Sequence, residues 1–345
     1  MSENKDQKCR LGTVGGQAVM EGVMMRSKTT TAIAVRNLET KKITARVKPS
    51  KTIRDKVKFF RLPIIRGIVN FIEMMILSFS TLTASTEMLG IEEEKPSKFE
   101  KWLEKRFGAS LMGFISVIAT ILGLGLSIFL FIYLPSGSAK LVDNFVEGDM
   151  NQYIKAFIEG FMKIAIFVAY LALVSLIPDI KRVFMYHGAE HKSIFCYESG
   201  EELTVENVKK HTRFHPRCGT SFMFVMIIIS IIAGALIPTW DPLILRVFIK
   251  IMILPFIVGI GYEFIMYAGK HTNFLTKTLS APGLWMQRIT TKEPDDSMIE
   301  VAIISIKAAL PNEFPDFIVP LEEKTADKKE ENTTAKEEKA ADENI

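Results

Sequence analysis

The chain has 345 residues, of which 48% are hydrophobic and 24% charged, with a mean hydropathy of +0.20 and a formal net charge of +4. Positive hydropathy beside so many charges requires the two to be segregated along the sequence, as in a membrane protein. The small net charge argues against a nucleic-acid partner, three cysteines form no secreted disulfide framework, and residues 1–20 lack the apolar core of a signal peptide.

Residues 1–10 are polar. The stretch from Leu11, LGTVGGQAVMEGVMMRS, is glycine-rich and reads as a loop, with Glu21 and Arg26 as its charged residues. Next, TTAIAVRNLETKKITARVK alternates apolar and polar residues around a polar centre, which predicts a β-hairpin turning near Leu38 to Lys41. Residues 62–90 are apolar but interrupted by Arg66, Glu73 and Glu87. Their longest uncharged run falls short of the roughly 20 residues a span needs, so they are expected as an interfacial or partly buried helix, with a membrane span as the alternative.

Four spans follow: Ser110 to Leu134, about Tyr153 to Ile177, about Ser221 to Ile237, and about Leu243 to Ala268 with Pro255 inside it. Glu159 and Lys163 lie four apart in the second and are expected to pair on one helix face. Lys and Arg number 21 in residues 1–109 and seven in residues 178–217, against Lys140 alone in the 135–152 loop. That alternation places both termini, residues 178–220 and His271 on the cytoplasmic side. Arg246 and Lys250, at the outer end of the fourth span, run against the trend and are expected to snorkel. In residues 277–320, MIEVAIISIKAAL predicts a strand or short helix, and residues 321–345 have the composition of a disordered tail.

The chemistry concentrates between Tyr186 and Phe222, which hold His187, His191, His211 and His215, four of the five histidines, together with Cys196 and Cys218. On a helix, His187 and His191 share one face with Cβ atoms about 5–6 Å apart, a workable geometry for two imidazoles on one zinc ion. With Glu190 between them they form H-x-x-E-H, the inverted zinc-protease pattern in which Glu is the general base. Gly188 inside the string weakens the helix by roughly 1 kcal/mol relative to Ala. His211 and His215 repeat the spacing, and Cys218 follows three residues on, after a turn at Pro216. A third ligand is expected from His211, His215 or Cys218; four ligands together would close a structural site. The competing explanation is that these histidines hydrogen-bond on the surface or meet lipid phosphates. Cys196, in apolar SIFCY, reads as a buried inert thiol. Glu21 is either a carboxylate folded over the site, with Arg26 as an anion contact, or a turn residue before the hairpin. Glu263 is costly in lipid and should face protein or water.

GGQAVMEGVMMRS, the whole Tyr186–Phe222 block and APGLWMQRITTKEPDDSMIEVAI resemble the signature blocks of the YqhQ family, over roughly residues 11–310. That is a bacterial and plastid family of uncharacterised membrane proteins, commonly labelled a predicted metal-dependent enzyme. The resemblance implies Glu21, His187, Glu190, His191, His211, His215 and Cys218 as site candidates and supplies no substrate.

The expectation is therefore an α-helical integral membrane protein of the plasma membrane, with about four transmembrane helices and cytoplasmic α+β segments. It divides into a cytoplasmic N-terminal segment at 1–109 with hairpin and interfacial helix, and a membrane domain at 110–268 carrying the His/Cys loop. A cytoplasmic segment at 269–320 and the tail complete it. The favoured function is hydrolase-like chemistry dependent on a divalent metal such as zinc, with Glu190 and Glu21 as catalytic carboxylates. The alternative is a non-enzymatic scaffold or assembly factor with a structural metal site; a transporter ranks last. The expected partners are the lipid bilayer and, as a homo-oligomer, further copies of the chain, without nucleic acid.

Overall fold

The computed structural model describes residues 10–55, 57–90, 110–146, 150–236, 243–268 and 273–321. His271 and nearly all of the C-terminal tail lie outside the described residues. Four strands, β1 (Gly15–Val19), β2 (Gly22–Arg26), β3 (Thr30–Arg36) and β4 (Ile43–Pro49), form an antiparallel meander in sequence order. The β3–β4 hairpin is the predicted one, with Arg36 opposite Ile43. The glycine-rich stretch, expected as a loop, supplies β1 and β2 instead. Val19 pairs with Gly22, which leaves Met20 and Glu21 as a two-residue turn. Glu21 sits there at φ 49°, a left-handed conformation uncommon outside glycine.

Successive strand residues point to opposite faces, so the meander can be covered on both sides. Val23, Met25, Ala32, Ala34 and Ala45 face helices α5 (Pro178–Glu198) and α10 (Asp296–Ala309). Val19, Met24, Ile33 and Val35 face the end of helix α1 (Ile65–Met88), against Ala84, Met88 and Leu89. MIEVAIISIKAAL, expected as strand or short helix, is the body of the 14-residue α10. The Asp295 side chain caps it by accepting from the Met298 amide at 2.9 Å. Ser305 in its middle donates to the Val23 carbonyl at 2.9 Å and fixes the helix on the sheet.

The remaining helices are α2 (Ser110–Ile128), continuing through a π-helical turn (Phe129–Tyr133) into α3 (Leu134–Asp143), then α4 (Gln152–Val174), α6 (Val205–Lys210), α7 (Gly219–Leu236), α8 (Leu243–Ala268) and α9 (Phe274–Thr290). Among the described residues, five stretches are long and apolar enough to cross a membrane: Ile65–Met88, Val117–Asp143, Gln152–Val174, Gly219–Leu236 and Ile244–Ala268. The count exceeds the expected four by α1. Its first turn meets the last turns of α8, where Arg66 Nε donates to Glu263 Oε1 at 2.7 Å. Its last turn lies on the sheet, where the Leu38 amide donates to the Leu89 carbonyl at 3.0 Å. Between those anchors Ile72, Met75, Ile76 and Phe79 are exposed.

Two expectations inside the helices are corrected. Glu159 does not take Lys163 as its main partner; Lys250 and Arg246 hold its carboxylate. Neither cation snorkels, since both side chains are at most 10% exposed. A buried carboxylate within reach of two cations gains more than the pairing between neighbouring turns of one helix provides.

Candidate metal centre

The segment 178–220, expected as a loop, opens with the 21-residue helix α5. Pro178 stands in its first turn, where no amide is needed, and Gly200, at φ 79°, lets the chain leave it. Helical spacing gives α5 two working faces. Arg182, Tyr186 and Glu190 turn toward the β1–β2 hairpin, while His187 and His191 lie edge to face with ring centroids 4.4 Å apart.

Cys218 joins the two histidines from the short turn before α7, where its amide donates to the His215 carbonyl at 3.3 Å. One ring nitrogen from each histidine and the Cys218 sulfur lie within 4.8 Å of one another. Sγ is 3.2 Å from His187 Nε2. On the far side of each ring is a backbone carbonyl: His187 Nδ1 is 2.8 Å from the Thr290 oxygen, and His191 Nδ1 is 2.5 Å from the Arg213 oxygen. A carbonyl can only accept, so each Nδ1 donates to it, which leaves the Nε2 side of each ring for the centre. This is how metal-binding imidazoles are commonly oriented. Tetrahedral zinc with nitrogen and sulfur ligands requires N···S separations of about 3.5 Å; the His187 Nε2–Sγ separation of 3.2 Å is close to that, and the other donor atoms lie within 4.8 Å.

The electrostatics fit the same donor set. Burial holds His191 below its ordinary value, in the neutral form a ligand needs. Burial would raise the Cys218 thiol, but His191 and the Thr220 hydroxyl and amide together hold it below its ordinary value. Glu190 is 5% exposed, and burial pushes its carboxyl up to about 8 against the attraction of His187. Its Oε2 has no hydrogen-bond partner. Strand β1 covers this carboxyl at Gly16, where a Cβ would lie 2.9 Å from Glu190 Oε1 and 2.8 Å from the Met24 carbonyl oxygen, closer than real side chains come.

The other candidates fall outside this cluster. His215 is buried with its ring 5.4 Å from His191. Its Nδ1 accepts from the Arg217 amide at 3.3 Å, which turns Nε2 toward Glu198 at 3.8 Å. Burial alone would raise Glu198, yet His215, the Gly12 amide and Arg217 hold it below the usual carboxylate range. His211 stands apart, its Nε2 3.3 Å from Glu201 Oε1, in a second grouping with Cys196. Burial pushes the Cys196 thiol up to about 11. Glu21 accepts from Arg182 at 2.5 and 2.6 Å and from the Tyr186 hydroxyl at 3.2 Å, so it clamps the hairpin turn to α5. Arg26 is taken up by the Ser50 hydroxyl at 2.8 Å.

Several residues that shape the site carry no motif of their own. Gln287, fully buried, grips the His215 backbone at both ends, accepting from its amide and donating to its carbonyl, each at 2.7 Å. Thr290 contributes through a carbonyl, and position 188 must be glycine for that carbonyl to arrive. A Cβ there would overlap the Lys292 carbonyl, whose own amide donates to Phe184 at 2.8 Å.

Residues 62–312 match the family model described as a protein of unknown function, DUF1385. The chain is 36% identical over 301 residues to the uncharacterized protein YqhQ of Bacillus subtilis (strain 168), an alignment covering 86% of this chain and 92% of that protein. No solved structure matches. The family model begins after the sheet, whereas the Bacillus protein is similar over most of the chain. A match over most of the chain to the family model, with that likeness beside it, makes this chain a member of the DUF1385 family.

Proposed function

We propose that this protein is a multi-pass protein of the cell membrane carrying a divalent-metal, hydrolase-like centre at its cytoplasmic face. Parity supports the topology. The sheet, α5 and α10 pack as one body and share a side of the bilayer. Crossings by α2–α3, α4, α7 and α8 return the chain to that side at residue 175 and again after 268, and the Lys/Arg bias makes it the cytoplasm. A fifth crossing by α1 would separate β1–β4 from α5. With one end on α8 and the other on the sheet, α1 instead suits the bilayer surface, its Ile72–Ile76–Phe79 side toward lipid.

The observation that carries the enzymatic reading is the pairing of a three-ligand cluster with a buried carboxyl one of whose oxygens, Glu190 Oε2, has no hydrogen-bond partner. His187, His191 and Cys218 would hold the ion, and Thr290 and Arg213 fix the imidazoles. A bound zinc supplies Lewis acidity and hydroxide at neutral pH. Glu190 lies one residue from His191, and a carboxyl with a pKa near 8 can take a proton and return it near physiological pH. Its unpartnered Oε2 is the atom available for that transfer. Three protein ligands are the number that catalytic zinc sites use, a fourth being typical of closed structural ones.

Burial favours a second reading, a structural knot in a scaffold, because His191 is 2% and Cys218 8% exposed. Glu190→Gln separates the two. For the enzyme, the variant reaches normal membrane levels with normal metal content yet fails to complement a deletion strain. For the knot, Glu190→Gln complements, while His191→Ala loses protein and function together. A protein that purifies folded without metal and gains no stability from added zinc would sink both readings.

A further inference from the structure

A second cluster of charge lies between the middle of the helices and the end opposite the His/Cys centre. Arg246 and Lys250 occupy the first turns of α8, about 25 and about 20 Å along that helix from Glu263 where α1 is anchored. Glu159 in α4 is ion-paired to Lys250 and lies 3.3 Å from Arg246. Lys250 also donates to the Ser136 hydroxyl at 2.8 Å. With its neighbour carboxylate engaged by two other cations, Lys163 donates to a neutral group, the Ser230 hydroxyl on α7, at 3.2 Å. Among the described residues of this cluster, Lys250 and Arg246 thus share the Glu159 carboxylate while Lys163 has none, a formal excess of two positive charges.

Such an excess is expensive among apolar helices unless an anion balances it. Arg246 is 5% exposed and its Nε has no hydrogen-bond partner. Lys163, Ser230 and Lys250 line a cleft between α4, α7 and α8 that holds about 390 Å³ of empty space including its open side. Ile132, from the π-helical turn, and Ile253, Leu254 and Ile257 form its apolar wall. Departures from α-helical geometry of this kind are frequent beside binding sites.

We propose that this cleft is a binding site for a phosphate-type oxyanion, either free or as the headgroup of a lipid. Two ammonium groups and a hydroxyl on the cleft wall match the several acceptor oxygens of a phosphate, and a doubly charged one balances the excess. The apolar wall leaves room for an acyl chain beside the headgroup. The site is separate from the His/Cys centre and does not depend on its chemistry.

The test uses the full chain in nanodiscs with zinc held constant, following melting temperature. In discs of phosphatidylcholine alone, inorganic phosphate should raise the melting temperature saturably if the free anion is the occupant. If a lipid headgroup is, phosphatidylglycerol in the disc should raise it and phosphate should then add nothing. In either arm Lys163→Gln should weaken the response at least tenfold, Lys163→Arg should retain it, and His187→Ala should leave it intact. Should Lys163→Gln not fold, Ser230→Ala provides the weakened donor set. No response of the wild type to either probe, or equal responses of wild type and the Lys163 or Ser230 variant, would overturn the assignment.

Discussion

His187 is held between Cys218 and Thr290: its Nε2 is 3.2 Å from the sulfur, and its Nδ1 is 2.8 Å from the carbonyl oxygen. The ring is thereby fixed in tautomer and direction by a residue 103 positions away in sequence. His191 is fixed in the same manner by Arg213, so the cluster is oriented without a carboxylate behind either ring.

If these three side chains hold zinc, Cys218→Ser and His187→Ala should each reduce metal in detergent-purified protein to well below one equivalent. His211→Ala should leave it unchanged, because that ring faces Glu201 elsewhere. Elemental analysis of the three variants checks this, and equal metal in all of them would remove the centre.

Gly188→Ala tests the orientation without touching a ligand. The added methyl must displace the 290–292 segment, and with it the carbonyl that positions His187. Loss of such an outer partner typically costs 10–100-fold in metal affinity. Competition with a chelator of known affinity should show a drop of about that size while the helix content of the protein is retained.

The Glu190 carboxyl is raised from 4.5 to about 8 by burial, which sets the sign of its pH dependence. The folded state holds the proton more tightly than the unfolded state. Its contribution to stability is fully present below pH 4.5 and is lost as pH rises toward 8. In chelator-stripped protein, the stability of wild type relative to Glu190→Gln should therefore fall across that window, by on the order of a few kcal/mol. Comparing the two proteins at each pH cancels the opposing titration of the buried histidines. A flat difference would mean that the carboxyl is solvated or has another partner.

For Glu21 a structural outcome is expected. Glu21→Ala removes the acceptor of Arg182 and Tyr186 and should cost roughly 1–3 kcal/mol, the usual worth of hydrogen bonds to a charged group. Metal content should be unchanged, and Glu21→Gln should recover part of the stability. Loss of function at full stability and full metal would instead return Glu21 to a chemical role.

Orientation can be read with a membrane-impermeant thiol reagent in a background without native cysteines. A cysteine at exposed Phe145, in the short connection between α3 and α4, should react in intact cells. Cysteines at Thr40 and Ser199 should react only after lysis. Opposite behaviour of Thr40 and Ser199 would contradict their shared side and require α1 to cross.

Much of this architecture is legible in the sequence because hydropathy and period report it directly. The apolar stretches and the β3–β4 alternation are local signals. The H-x-x-E-H spacing is local too, since a helix places His187 and His191 on one side whatever else happens. What escapes is set by distant packing. Gly15 and Gly16 read as loop, yet β1 pairs as a strand because β2 lies alongside and Glu190 beneath. MIEVAIISIKAAL is apolar except at Glu300, Ser305 and Lys307, because sheet and helices cover most of the circumference of α10, and so narrow a polar face blurs its period. Choosing Cys218 over His211 and His215 as the third donor needs the positions of Thr290, Gln287 and Glu198, whose contributions run through a carbonyl, an amide and a second carboxylate.

The placement of Thr290 has a consequence for biosynthesis. The carbonyl that orients His187 belongs to a segment translated after the last apolar helix, more than a hundred residues behind the histidine itself. A nascent chain can therefore present H-x-x-E-H long before the ring it must aim has been locked. The cluster is complete only when the C-terminal part folds back over α5, so if it holds an ion, loading would be a late checkpoint that a truncated or stalled chain does not pass.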